Sequence, residues 1–179
     1  GDLQVNQIRG LGRFLRALDS PASWDDQIHT CSGDPRRRVS PLVPPRAANF
    51  ADFLEPGIRD LVLALIRSWN CTTFTSCEGH PPAESAAASL ATVGFLPLTD
   101  EELTRLVTRC NRLATAVDLA ADHPVALRAR QSAVSTDSGD IPVAELWFVP
   151  AHNDVPLADY FAALPAAICA AVTDVEGVR

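Results

Sequence analysis

The sequence predicts a single α/β or α+β domain, 1–179, in which helices pack on a small mixed sheet that includes a C-terminal β-hairpin. Two segments in the middle of the chain carry apolar residues at helical spacing, and two later runs, 125–134 and 142–150, are strand-like. The length of 179 residues and the content of 47% hydrophobic and 21% charged residues suit one globular domain.

The N-terminal part combines a weak helix with an irregular segment. Residues 3–18 place apolar side chains on one helical stripe, which Gly10 and Gly12 weaken. Residues 20–49 carry five prolines and a run of three arginines, and they show no helical or strand period. We therefore expect 20–49 to form an irregular arm or lid within the domain.

A helix and a short strand follow. From Pro56 to Trp69 the apolar residues keep the i, i+3, i+4 spacing of a core-facing helix, with proline in its first turn. A strand is predicted over 71–75, and the Ser-Cys-Glu-Gly-His-Pro-Pro segment breaks it. Helix is then expected to resume over 83–92.

The next helix is the best defined, because Thr99 and Glu102 form a capping box and an apolar stripe runs on to Val117. The strands 125–134 and 142–150 are expected to pair as an antiparallel hairpin. The last segment is predicted to be helical from Pro156, with a break at Pro165.

The register of this hairpin follows from its turn. If Val134 lies opposite Pro142, Ala129 pairs with Trp147 on an apolar face that can cover helices.

Composition excludes several classes of protein. All 15 basic residues are arginine, so Schiff-base chemistry and a phosphate-loop lysine are ruled out. A net charge of −7 disfavours a nucleic-acid partner. No apolar run reaches the roughly 18–20 residues that a membrane-spanning helix needs, so we expect a chain that is not embedded in a bilayer. Five irregularly spaced cysteines without a leader of the signal-peptide type favour reduced thiols in the cytoplasm.

The residues that could carry chemistry gather at one end of the predicted sheet. If the first and last strands run parallel in one sheet, their carboxyl ends lie at the same edge, where open α/β sheets usually bind ligands. That edge would then hold Cys77, Glu78, His80, His123, His152 and Asp154.

Nucleophilic catalysis is the first interpretation of this set. Cys77 and His80 flank a glycine that allows a tight turn, ahead of the predicted helix 83–92. The helix dipole and a protonated imidazole would lower the thiol pKa. Cys77, His80 and His152 are therefore the candidate catalytic residues, while a plain strand-to-helix turn is the alternative.

Metal binding is the second interpretation of the same residues. Cys77 and His80 are three positions apart, and His123 or His152 with Asp154 could complete a tetrahedral set of sulfur, nitrogen and oxygen ligands. Zinc is the metal that such a set implies.

Arg128 and Arg130 alternate on the hairpin face opposite Leu127 and Ala129. Two arginines on one strand face can bind a carboxylate or phosphate, although a solvated sheet face is the other interpretation. With Ser76 and Glu78 of the turn, these arginines are the candidate substrate-binding residues.

The segment from Ile58 to Gly79, an apolar helix followed by Thr-Thr-Phe-Thr-Ser-Cys-Glu-Gly, resembles the start of the wybutosine-type tRNA-modifying methyltransferases. The resemblance covers about 20 residues and rests on Thr, Ser, Cys and Gly. It implies an S-adenosylmethionine-dependent RNA-modifying enzyme, with Ser76 and Cys77 in a functional turn.

Three functions remain open from the sequence. The leading hypothesis is a small cytoplasmic enzyme that modifies a small molecule or short peptide through Cys77 and His80. The first alternative is a non-catalytic module, in which the arm 20–49 and the helix ending at Val117 bind a partner protein or a metal stabilises the fold. The second is the S-adenosylmethionine-dependent enzyme, so the cofactor is open between zinc and S-adenosylmethionine.

Overall fold

The structure, a computed structural model, describes residues 8–9, 28–30, 40–42, 48, 50–84, 86–136 and 139–177. Its regular elements, in chain order, are β1 (Ile8–Arg9), β2 (Ile28–Thr30), β3 (Ser40–Leu42), α1 (Pro56–Trp69), β4 (Thr73–Cys77), β5 (Thr92–Phe95), α2 (Asp100–Ala116), β6 (Val125–Thr136), β7 (Gly139–Pro150) and α3 (Leu157–Gly177). A 3-10 turn, Phe50–Phe53, precedes α1.

The strands form two antiparallel sheets. The main sheet has the order β4-β5-β7-β6, and β1, β2 and β3 form a separate three-stranded sheet. The α+β class is confirmed, but the expected mixed sheet is wrong, because every neighbouring pair is antiparallel. A parallel pair needs a crossover, usually helical, and the chain between β4 and β5 turns back on itself instead.

The helix predicted over 83–92 does not form. Two isolated bridges, His80 with Ser89 and Ala83 with Ala86, make the chain double back, and β5 follows. Alanine favours helix, but this stretch has no large apolar stripe to bury, and most short helices depend on such burial. The tight loop instead satisfies its own backbone, with two hydrogen bonds between His80 and Ser89 of 2.9 and 3.0 Å.

The N-terminal predictions are partly overturned. β1 lies within the predicted helix 3–18, next to the two glycines that weaken it. β2 and β3 lie within the arm 20–49, which was expected to have no strand. Apart from residue 48, which lies in a turn, the rest of these two predictions lies outside the described residues.

The two central helices form as predicted. α1 begins at Pro56 and buries one apolar side. Thr99 caps α2, accepting a hydrogen bond from the Glu102 backbone N–H at 3.1 Å. The Glu102 carboxylate reaches back to the backbone N–H of Leu98 at 2.9 Å, so it satisfies a second donor at this helix start.

The hairpin forms, but its register differs from the predicted one by one residue. Leu127 lies opposite Phe148, and Arg128 opposite Trp147. This register places Leu127 and Phe148 together in the core and moves Trp147 to the arginine face. There the indole N–H donates to the Glu145 carboxylate at 3.0 Å, a partner that an apolar core would not supply.

Helix α3 continues through Pro165, so the predicted break is wrong. Proline removes one backbone hydrogen bond and costs a helix interior about 3 kcal/mol. Burial on both sides of Pro165 offsets this cost, since Tyr160 and Leu164 before it and Ile168 and Ala171 after it pack in the core.

α3 is also long and apolar enough to cross a membrane by length and composition alone. Its buried side packs on α1 and on the sheet, as a core helix does. The sequence-based expectation that no apolar stretch is long enough to cross a membrane is therefore wrong for α3. One such helix is nevertheless weak evidence that the chain spans a membrane.

Because the thiols of Cys71 and Cys110 are buried, the free energy of unfolding should decrease as the pH becomes alkaline. Burial raises the pKa of Cys71 and of Cys110 to about 12, from an ordinary 9.0. The unfolded chain loses these protons from pH 9 upward while the folded chain keeps them. The resulting stabilisation is thus complete below pH 9 and is lost as the pH rises towards 12.

We therefore expect urea unfolding to show a lower free energy of unfolding at pH 10 than at pH 8, by about 1 kcal/mol for each thiol. A Cys110→Ala variant should lose the contribution of this thiol, about 1 kcal/mol of the difference. Equal stability of the unmodified chain at the two pH values would contradict the prediction.

Candidate functional site

The site lies where the edge strand β4 ends beside the first residue of α1. Glu55 occupies the N-cap position of α1 with extended backbone, φ −61° and ψ 137°. Its side chain does not cap its own helix. It points to the turn after Cys77, which brings residues from two distant parts of the sequence together.

Two glutamates link this turn to the start of α1, because the carboxylate of each accepts a hydrogen bond from the backbone of the other segment. The Glu55 carboxylate accepts a hydrogen bond from the Glu78 backbone N–H at 2.8 Å. The Glu78 carboxylate accepts one from the Gly57 backbone N–H at 2.6 Å. Because Pro56 has no N–H, Gly57 offers the first free donor of the helix, and both carboxylates stand at the positive end of its dipole.

His80 is held from two sides. Its ring Nε2 lies 2.9 Å from Glu55 Oε1, and its backbone N–H donates to the carbonyl and the hydroxyl of Ser89 at 2.9 and 3.1 Å. The His80 side chain is 34% exposed and that of Glu55 18%. The imidazole is thus fixed in position yet open to a ligand from solvent.

Cys77 completes the group. Its Sγ accepts a hydrogen bond from the Gly79 backbone N–H at 3.4 Å and lies 3.6 Å from the Ser89 hydroxyl. Gly79 has φ +85°, in the left-handed region that glycine adopts without strain, and this turn brings its N–H back to the sulfur.

The Cys77 thiol is not activated as predicted. Burial raises its pKa above the ordinary value, and the Glu55 and Glu78 carboxylates raise it further, although the hydrogen bonds from Gly79 and Ser89 oppose the change. The helix whose dipole was expected to lower this pKa, 83–92, does not form. Without a further positive charge, Cys77 therefore stays protonated at neutral pH.

The ligand atoms of Glu55, Cys77 and His80 all lie within 4.8 Å of one another. In a tetrahedral zinc site, neighbouring ligand atoms are about 3.4–3.6 Å apart, as follows from metal–ligand bonds of 2.0–2.3 Å. Small side-chain movements would therefore bring the three atoms onto one ion. In the part of the chain that the structure describes, this is the one group of three with such spacing.

The other predicted metal ligands are not in this group. β4 and β7 do run in the same direction, but with β5 between them. Cys77 is level with Trp147, so Pro150 lies three residues, or about 10 Å, farther along β7, and His152 and Asp154 are beyond it.

His123 and His152 lie near each other instead, since the backbone N–H of Ala151 donates to Pro124 at 2.9 Å. The His123 ring bonds the backbone of Val125, and the His152 side chain is exposed. The structure therefore separates the predicted residues into two places.

The predicted substrate-binding residues are also spread out. Arg128 and Arg130 lie on the sheet face away from the core, but Arg128 is three strands from Cys77, or about 14 Å. Ser76 lies opposite Val93 on β5. Among these residues, Glu78 is the one that contacts the site directly, through Glu55 and Gly57.

The sequence interpretation missed Glu55 and Ser89. Glu55 precedes a helix-starting proline, where an acid meets the helix dipole, and this position was the available signal. No sequence signal marks Ser89 as part of the site, because it lies within the predicted helix 83–92.

Comparisons of the chain with protein-family models, curated proteins and solved structures found no match. The group formed by Glu55, Cys77 and His80 is therefore the feature of this chain that indicates a function.

Proposed function

We propose that this chain is a metal-dependent enzyme that holds one zinc ion through the Glu55 carboxylate, the Cys77 thiolate and the His80 imidazole. The observation that carries the proposal is that the three ligand atoms, which come from an N-cap, a strand end and a turn, all lie within 4.8 Å of one another. Oxygen, sulfur and nitrogen are the atoms that zinc takes from proteins.

The mixed ligand set favours zinc over harder ions. A thiolate selects soft or borderline metals, while magnesium and calcium prefer oxygen ligands throughout. Zinc would also supply the positive charge that the thiol lacks, because a coordinating thiol loses its proton. A cytoplasm, where thiols stay reduced, suits such a ligand.

The number of protein ligands points to catalysis. Structural zinc sites are usually closed by four protein ligands, whereas catalytic sites use three and leave a position for water or substrate. The partial exposure of His80 gives that position access to solvent. Zinc lowers the pKa of bound water towards 7, so hydrolysis of a small molecule or short peptide is the reaction class that fits best.

The surrounding hydrogen bonds fit a ligand shell. The Glu78 N–H holds Glu55 Oε2, and Glu55 Oε1 remains on the side of His80. The Ser89 hydroxyl and the Gly79 N–H lie against the Cys77 sulfur. Such outer contacts orient metal ligands, and their loss typically weakens metal binding about 10–100-fold.

A second candidate is metal-free nucleophilic catalysis by Cys77. The contact that favours it is the 2.9 Å pair of His80 and Glu55, because a carboxylate that orients an imidazole beside a thiol is the arrangement of cysteine-dependent hydrolases. The raised thiol pKa argues against it.

A zinc titration of the purified chain tests the proposal. We expect one zinc per chain, and about a hundredfold weaker binding in Cys77→Ser, because oxygen replaces a thiolate ligand. Cys169→Ser is the matched control, since Cys169 is exposed on α3 and outside the ligand group, and it should bind as the unmodified chain does.

Two results would contradict the proposal: no zinc bound by the unmodified chain, or equal binding by Cys77→Ser. Iodoacetamide labelling separates the two candidates. The zinc site predicts that added zinc protects Cys77, whereas metal-free catalysis predicts rapid labelling that zinc does not change.

A further inference from the structure

The pairing of β5 with β7 is interrupted next to the site by a tyrosine hydroxyl. Thr92 lies opposite Trp147, which places Ala91 opposite Phe148. The Phe148 N–H donates directly to the Ala91 carbonyl at 3.0 Å. A hydrogen-bonded antiparallel pair normally exchanges two such bonds.

The second bond runs through Tyr160 of α3. The Ala91 N–H donates to the Tyr160 oxygen at 3.2 Å, and the Tyr160 hydroxyl donates to the Phe148 carbonyl at 2.8 Å. All three residues are fully buried. The hydroxyl is therefore a spacer that satisfies both backbone groups while it holds the two strands apart.

The residues just before β5, which the Tyr160 hydroxyl holds away from β7, contact the segment that carries the proposed ligands Cys77 and His80. Ser89 is two residues before Ala91, and it accepts both hydrogen bonds from the His80 N–H. Gly79 also packs against Ala91, since a Cβ built on Gly79 would lie 3.2 Å from the Ala91 nitrogen. A shift of Ala91 towards β7 would thus move the segment that carries Cys77 and His80.

We infer that Tyr160 is a positioning residue for the proposed zinc site, and that its hydroxyl sets the spacing of Cys77 and His80 by holding Ala91 away from Phe148. This inference rests on the proposed function. In Tyr160→Phe the two backbone groups are left to bond each other directly, because an unpaired buried N–H is costly. The ring stays in the core, so the fold is retained while the ligands move.

Cobalt(II) is the probe for this inference, because its visible spectrum reports the coordination geometry that zinc, a d¹⁰ ion, does not show. We expect Tyr160→Phe to bind cobalt about 10–100-fold more weakly than the unmodified chain, with altered visible bands. Thr173→Val is the control for loss of a hydroxyl from the same helix. It removes a hydroxyl that donates to the Cys169 carbonyl at 3.2 Å on the exposed side of α3, and it should leave affinity and spectrum unchanged.

The outcomes separate the inference from the function on which it rests. If the unmodified chain binds no cobalt or zinc, the proposed function fails and the inference fails with it. If the unmodified chain binds cobalt and Tyr160→Phe has the same affinity and spectrum, only the inference is overturned. An equal change in Thr173→Val would also overturn it, because the effect would then follow from the loss of any α3 hydroxyl and not from the spacing of the two strands.

A second variant keeps the inference testable if Tyr160→Phe fails to fold. Ser89→Ala removes the hydroxyl that bonds the His80 N–H and leaves Tyr160 in place. The same hydroxyl lies 3.6 Å from the Cys77 sulfur, so Ser89→Ala should change the cobalt spectrum and weaken binding through both contacts. An unchanged spectrum in Ser89→Ala would contradict the inferred path, because that path reaches His80 through Ser89.

Discussion

Gly94→Ala should lower the free energy of unfolding by about 3 kcal/mol, because the added methyl group has no space in the sheet. A Cβ at Gly94 would lie 2.6 Å from Thr75 Cγ2 and 2.7 and 2.9 Å from two carbons of the Phe74 ring. Phe74 is 1% exposed, so its ring cannot turn into solvent to make room.

The position of Gly94 follows from an irregularity in the strand pairing. The register between β4 and β5 shifts between Thr73 and Thr75, which brings the ring of Phe74 over the β5 backbone. A side chain at this point of β5 must therefore push β4 outward. Because β4 ends at Cys77, the same displacement should disturb the ligand group.

Urea unfolding of Gly94→Ala and of Gly177→Ala measures this effect with a matched control. A Cβ at Gly177 meets no atom within 4 Å, and this residue ends α3, so alanine there should change stability by less than about 0.5 kcal/mol. Equal stability of the two variants would show that the sheet accommodates the methyl group, contrary to the contacts described.

Gly79→Ala is expected to destabilise the protein by about 4 kcal/mol and to impair metal binding as well. The φ of +85° costs an alanine roughly 1–3 kcal/mol in backbone strain. The new Cβ would also lie 2.9 Å from Leu164 Cδ2 and 3.2 Å from the backbone nitrogen of Ala91. Relief of either contact moves the turn that carries Cys77 and His80.

A double-mutant cycle with Leu164→Ala separates the two causes. Removal of the Leu164 side chain relieves the steric contact but leaves the backbone strain, so the double variant should be more stable than the sum of the single effects predicts. Additive effects in urea unfolding would show that no contact couples Gly79 to α3. Unchanged zinc affinity in a folded Gly79→Ala chain would contradict the placement of this turn at the site.

Helices α1 and α2 could be predicted from the sequence, because the residues that specify them are close together along the chain. α1 carries a proline at its start and a continuous apolar stripe, and α2 carries the capping box of Thr99 and Glu102, so neighbouring residues specify both. The hairpin was also recognisable from alternation. Its register was not, because strand pairing depends on which of Trp147 and Phe148 enters the core, and both are large and apolar.

Longer-range contacts explain the remaining differences. Helix propensity favoured 83–92, yet the chain there gains more from bridges that close its loop and from pairing of β5 with β7. Cys77 and His80 could be identified as a pair because they are close in sequence. Glu55 could be recognised as an acid at a helix start, but its contacts with Glu78 and His80 could not be predicted, since they join residues 23 and 25 positions apart.

The most direct test of the zinc site is X-ray absorption at the zinc edge of the unmodified chain loaded with one equivalent of zinc. The proposed ligand set predicts one sulfur at about 2.3 Å, together with nitrogen and oxygen ligands at about 2.0–2.1 Å, and loss of the sulfur contribution in Cys77→Ser. A zinc shell without sulfur in the unmodified chain, or a sulfur signal that persists in Cys77→Ser, would contradict it.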